Sequence, residues 1–223
     1  MPAQSWIYGD SSASRCRGMD GMEMILTRRS IKKLKPISIP GEVIRRILYA
    51  ATMAPSAHNA QPWRFIVIDD QQVKMKLAEA MASLLIRDLI KNGYGEAEAE
   101  QEAMESIARI KSASLLIIAC VTMEGMDVYP DRRRRRAEYI MAIQSVAAAI
   151  QNLLLAAHYE GLGACWRCAP LFAQGVVRRI LRIPKGVEPV ALIEVGGAES
   201  KVEAPPRKPL EEVVYHNRWG ERL

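Results

Sequence analysis

Residues 139–158, YIMAIQSVAAAIQNLLLAAH, set the tightest limit on what this chain can become. A helix over this stretch has the length that crosses a bilayer, and it follows an arginine cluster as a positive-inside anchor would. Gln144, Gln151, Asn152 and the repeated alanines argue instead for the centre of a larger fold. A helix apolar on nearly every side is also what a domain core or a dimer axis requires. The chain is therefore expected to build around this helix, with no membrane partner. Pro130-Asp131 marks its start, with Asp131 as cap, and Gly161-Leu162-Gly163 marks its stop. Arg132 to Arg136 put positive charge where the helix dipole disfavours it. An anion site would explain that cost, and a solvated basic face relieved by Asp131 and Glu138 explains it more simply.

Around that helix the pattern alternates between both kinds of element. Val43, Ile44, Ile47, Leu48 and Ala51 recur at helical spacing after Pro40-Gly41, and Pro55 forbids continuation. Trp63 to Ile68, Ser114 to Val121 and Glu188 to Val195 are apolar runs of strand length. Further helices are expected over residues 73–90, Glu96 to Ile110, Leu171 to Ile183 and Leu210 to His216. This is an α+β pattern, a mixed sheet flanked by helices. We expect one domain over residues 22–223, with a C-terminal tail, after an extension over residues 1–21. A chain of 223 residues with 49% hydrophobic content buries one core of good size. The net charge of +6 is too mild to argue for nucleic acid. Four cysteines, Cys16, Cys120, Cys165 and Cys168, are too scattered for a secreted disulfide scaffold and point to a reducing cytoplasm. The first eighteen residues have no continuous apolar core, so neither a signal peptide nor an anchor is expected there.

Three stretches carry candidate chemistry. Arg28-Arg29-Ser30 offers two guanidinium forks and a hydroxyl, which together grip a phosphate, though basic pairs are also common on surfaces. Lys32 shares Ser30's side of an extended chain. The loop Pro55-Ser56-Ala57-His58-Asn59-Ala60-Gln61 is either an ordinary helix-to-strand turn or a set of small polar groups for a flat polar ring. Gly161-Leu162-Gly163 is not a dinucleotide fingerprint, because it follows a helix and lacks the third glycine. Cys165-Trp166-Arg167-Cys168 has redox or zinc spacing but no second pair, so packed thiols and no metal are expected.

RRSIKKLKPISIP, AATMAPSAHNAQPWRFIVI, NLLLAAHYEGLGACW and EPVALIEVGG, in that order, closely resemble the flavin-dependent nitroreductase family over residues 22–219. The resemblance implies an α+β homodimer with flavin mononucleotide (FMN) at each end of the subunit interface. It implies that Arg28, Arg29, Ser30 and Arg207 hold the phosphate, and that Lys32 and Asn59 address the ring. Pro55 and Ser56 are then expected from the other subunit, with Gly161, Leu162 and Gly163 passing close to the ring. No catalytic side chain is expected, since the flavin carries the chemistry and Lys32 tunes it. The implied reaction passes electrons from NADH or NADPH to a nitroaromatic, quinone or similar planar acceptor. A same-fold enzyme acting on a deazaflavin, enone or flavin, or a non-catalytic flavin-binding module, are the alternatives.

Overall fold

The computed structural model describes residues 20–200 and 202–222, so most of the N-terminal extension and Cys16 lie outside the described residues. Asp20 caps α1 (Gly21–Thr27) by accepting from Glu23 N–H at 2.8 Å. β1 (Leu34–Lys35) and α2 (Gly41–Thr52) follow, and α2 has already stopped at Thr52, before Pro55. Next come β2 (Trp63–Ile68), α3 (Gln71–Lys91), α4 (Glu96–Ser112) and β3 (Leu115–Thr122). α5 (Arg132–Tyr159) is the long helix, and Asp131 caps it by accepting from Arg134 N–H at 2.9 Å. β4 (Gly163–Arg167), α6 (Ala169–Phe172), α7 (Gln174–Leu181), β5 (Val187–Ala198) and α8 (Leu210–Val213) complete the chain.

The α+β class holds, but the sheet expected to be mixed is antiparallel in every described pairing. Its order is β1-β5-β3-β2, with β4 also paired to β5. β3 is buried along its whole length because helices cover both faces, which gives it the unbroken apolar run that parallel strands usually have. On one face Leu115, Ile117, Ala119 and Val121 pack with Ile193 and Val195 against α2 and α5. On the other, Leu116, Ile118, Cys120 and Leu192 pack with residues of α3 and α7. The helix expected over Leu171 to Ile183 is split at Ala173 (φ −125°), and only Leu210–Val213 of the tail is helical.

α5 is long and apolar enough to cross a membrane, yet its stripe Ala142, Val146, Ala149, Ile150, Leu153 and Ala157 sits in the core. Arg46 locks α2 onto its far end through a two-pronged pair with Glu160, at 2.7 and 2.9 Å. Asn152 Nδ2 donates to Ala50 O at 3.2 Å and ties the end of α2 to the same rod. α5 therefore fixes where the loop after α2 must emerge.

Candidate functional site

One group of sequence-predicted residues gathers at the C-terminal end of α5. Arg28 leaves the helical conformation (φ −57°, ψ 135°) and ends α1, and residues 28–30 belong to no helix or strand. Ile31 N–H donates to Ala164 O at 2.9 Å, which stitches this segment to β4. Glycine at 163 suits that approach, since a Cβ there would meet Leu34 Cδ2 at 2.7 Å and Ile31 Cγ2 at 3.2 Å and push those side chains aside. Gly161 turns α5 off with φ +73° and faces open space, while Leu162 packs on the core. Lys32 is exposed.

Burial, then the charges of Arg29 and Arg207, hold Arg28 below its ordinary arginine value. The charge of Arg207 in the tail is therefore felt at Arg28, and no described ion pair engages these arginines. Arg29 donates to Leu26 O and Arg28 O at 2.7 and 2.8 Å, which fixes its fork. His158 lies here too, its value lowered by burial and then by Arg28 and Arg29. Thr27 Oγ1 donates to Glu23 O, so the 3.0 Å contact between His158 and Thr27 has Nε2–H as donor. Guanidinium groups crowded without a described carboxylate are the donor set a phosphate monoester needs.

The second group sits on the loop after α2. Ser56 Oγ accepts from Gln61 N–H at 3.1 Å, and Asn59 N–H donates to Ser56 O at 3.1 Å. The turn is strained: His58, Asn59 and Gln61 all have positive φ, at 56°, 51° and 47°. It is held from α5, where Ser145 Oγ accepts from Ala57 N–H at 3.2 Å and Glu138 Oε2 lies 3.3 Å from His58 Nε2. Beside it opens a cavity of about 260 Å³ lined by Met123, Met126, Asp127, Val128, Glu138 and Tyr139, among others.

Ser145 and His158 anchor the two groups at points roughly 20 Å apart along α5, by a rise of about 1.5 Å per residue. Within one chain, then, Arg28, Arg29, Ser30, Lys32, Arg207 and Gly161 to Gly163 are neighbours, and Pro55, Ser56 and Asn59 are not among them. Asn59 shares one turn with Ser56, so it enters any site together with Pro55 and Ser56, not on Lys32's side.

Residues 25–197 match the sequence profile of the nitroreductase family. The chain belongs to the nitroreductase family. A Methanothermobacter thermautotrophicus protein, provisionally named NADH dehydrogenase/NAD(P)H nitroreductase, is 33% identical over 180 residues, 80% of this chain and 77% of that one. Two solved structures share the nitroreductase fold. A BluB-like flavoprotein from Clostridium difficile (23% identity) covers 90% of this chain and 100% of its own, with a TM-score of 0.73. The NADPH:FMN oxidoreductase of Vibrio harveyi, in complex with NAD+ (21% identity), covers 90% and 78%, with a TM-score of 0.68.

In this nitroreductase chain the CxxC is not a pair of packed thiols. Cys165 is buried on β4, and burial pushes its thiol up against the opposing pull of Arg167 and Lys32. Cys168 is exposed. Arg132 to Arg136 are exposed around the first turn and more of α5, as a solvated basic face would be. Spacing along the sequence missed one cluster entirely: His58, Asp127 and Glu138 converge from three separate elements. A sharper sequence signal was Glu138 itself, a carboxylate at the edge of an apolar helix.

Proposed function

We propose that this nitroreductase-family protein is an FMN-dependent oxidoreductase, a homodimer that passes electrons from NADH or NADPH to a nitroaromatic, quinone or similar planar acceptor. The observation that carries the reading is the gathering of Arg28, Arg29 and Arg207 at one end of α5, with Ser30 beside them. These residues would hold the cofactor phosphate, and the open flank of Gly161 leaves room for a ring against the backbone. Bound flavin would supply the hydride chemistry. Lys32, exposed just past Ser30, is placed to face negative charge developing on the reduced ring.

The loop from Pro55 to Asn59 lies too far along α5 to join that group in its own chain, so a second copy would bring it. Exposed apolar side chains on α2, at its C-cap and on α5, Tyr49, Met53, Ile140 and Tyr159, give such a dimer a surface to bury. In this reading residues 22–223 act as one flavin-binding domain in the cytoplasm. Mass analysis of the cofactor released from purified protein tests it. FMN is expected, and a colourless protein that takes up no added FMN contradicts it.

A further inference from the structure

Glu138 is 3% exposed and yet has no short bond. Its oxygen stands 3.3 Å from Asp127 N–H and 3.3 Å from His58 Nε2. The more exposed pairs close to 2.7 Å, Arg46 to Glu160 and Arg64 to Glu124, while the other buried carboxylate, Glu194, also stands 3.3 Å from its partner, Arg167. Both described contacts fall on one oxygen, Oε2, and a carboxylate has about four acceptor positions, so Glu138 can take further partners. Asp127 brings a second carboxylate, and one oxygen from each and a ring nitrogen of His58 lie within 4.8 Å of one another. Two carboxylates around one imidazole leave negative charge in excess. Arg135 lines the same cavity, and its Nη1 donates to the Tyr129 and Pro130 carbonyls instead of a carboxylate.

We propose that His58, Asp127 and Glu138 form a divalent-cation site for zinc or manganese. One nitrogen and two oxygens suit either ion. With metal–ligand bonds of about 2.1 Å, neighbouring ligands stand about 3.0–3.4 Å apart, and His58 Nε2 and Glu138 Oε2 are 3.3 Å apart. Asp127 is exposed, and the Tyr129 hydroxyl donates to its Oδ2 at 3.3 Å, a partner that would orient the carboxylate. Asp127 and Glu138 both line the cavity, so the positions left on the ion open into it. Three protein ligands with an open position is the arrangement of sites that take a water or a ligand oxygen.

The test is calorimetric titration of the purified protein, stripped with EDTA, against zinc chloride and manganese chloride separately. One saturable site per chain is expected for at least one ion. His58→Ala, at a side chain 39% exposed, and Glu138→Gln should each weaken it by about 100-fold or more. Zinc chloride should also raise the thermal unfolding midpoint of the parent protein and leave that of His58→Ala unchanged. No saturable binding, or binding that survives both substitutions, overturns the proposal and leaves His58 and Glu138 as an ion pair only. The measurement needs neither bound flavin nor turnover, so it stands or fails apart from the flavin reading.

Discussion

At the C-terminal end of α5, the charges of Arg28, Arg29 and Arg207 gather beside His158, and no described ion pair engages the three arginines. Nearer its N-terminus, His58 on the polar loop meets the carboxylates of Asp127 and Glu138. The same rigid helix carries both, roughly 20 Å apart by its rise. A helix packed along its length in a core does not fold back on itself. The two groups are therefore separate within one chain, and the flavin reading proposed above joins them only through a second copy.

The largest effect should come from destroying the cationic end alone. Arg28→Glu with Arg29→Glu removes two charge-assisted contacts, each about 1.5–3 kcal/mol, so FMN affinity should fall by at least about 100-fold. Flavin fluorescence titration reads this directly. The unfolding midpoint of the cofactor-free protein should not fall, because the arginines repel one another there. Unchanged FMN affinity would move the phosphate elsewhere.

Lys32→Met should act on the ring and not on the phosphate. A fixed charge near the reduced ring is worth about 1.4 kcal/mol after solvent screening, which equals about 30 mV for two electrons. The substitution should keep most FMN and lower its midpoint potential by some tens of millivolts in a dye-coupled titration. An unmoved potential makes Lys32 a solvated surface residue.

A smaller effect belongs to His158. Burial, then Arg28 and Arg29, hold it below its ordinary value, so the folded state binds this proton more weakly than the unfolded chain. Its contribution to stability is present above the ordinary imidazole range and is lost as pH falls through the lowered value. An anion seated on the arginines cancels part of their field, so added FMN should raise the His158 midpoint followed by NMR. A midpoint indifferent to FMN would separate His158 from the site.

The sequence made the rods and buried strands legible, and left the pairing between them obscure. α5 announced itself through Asp131, its apolar body and Gly161, and β3 through eight consecutive buried residues. β4 was hidden because Gly163-Ala164-Cys165 resembles a helix stop followed by a cysteine motif, and its strand character comes only from pairing with β5. The antiparallel sense of β3 was hidden for the same reason, since burial on both faces erases the alternation that marks direction. On the functional side, the Arg28-Arg29-Ser30 cluster was readable because its members adjoin in sequence. His58, Asp127 and Glu138 meet only through the fold, and the separation of the loop from the arginines needed the length of α5 in space.

Mixed dimers test the split most directly. Arg28→Glu spoils the phosphate half and leaves the loop intact, while Pro55→Trp fills the loop and leaves the arginines intact. Each variant alone should bind FMN poorly. In a heterodimer of the two, one site inherits both lesions and the other inherits neither, so the account predicts recovery of one tight FMN per dimer. If both halves of a site come from one chain, every site in the mixture keeps a lesion, and no recovery of FMN binding would contradict the account.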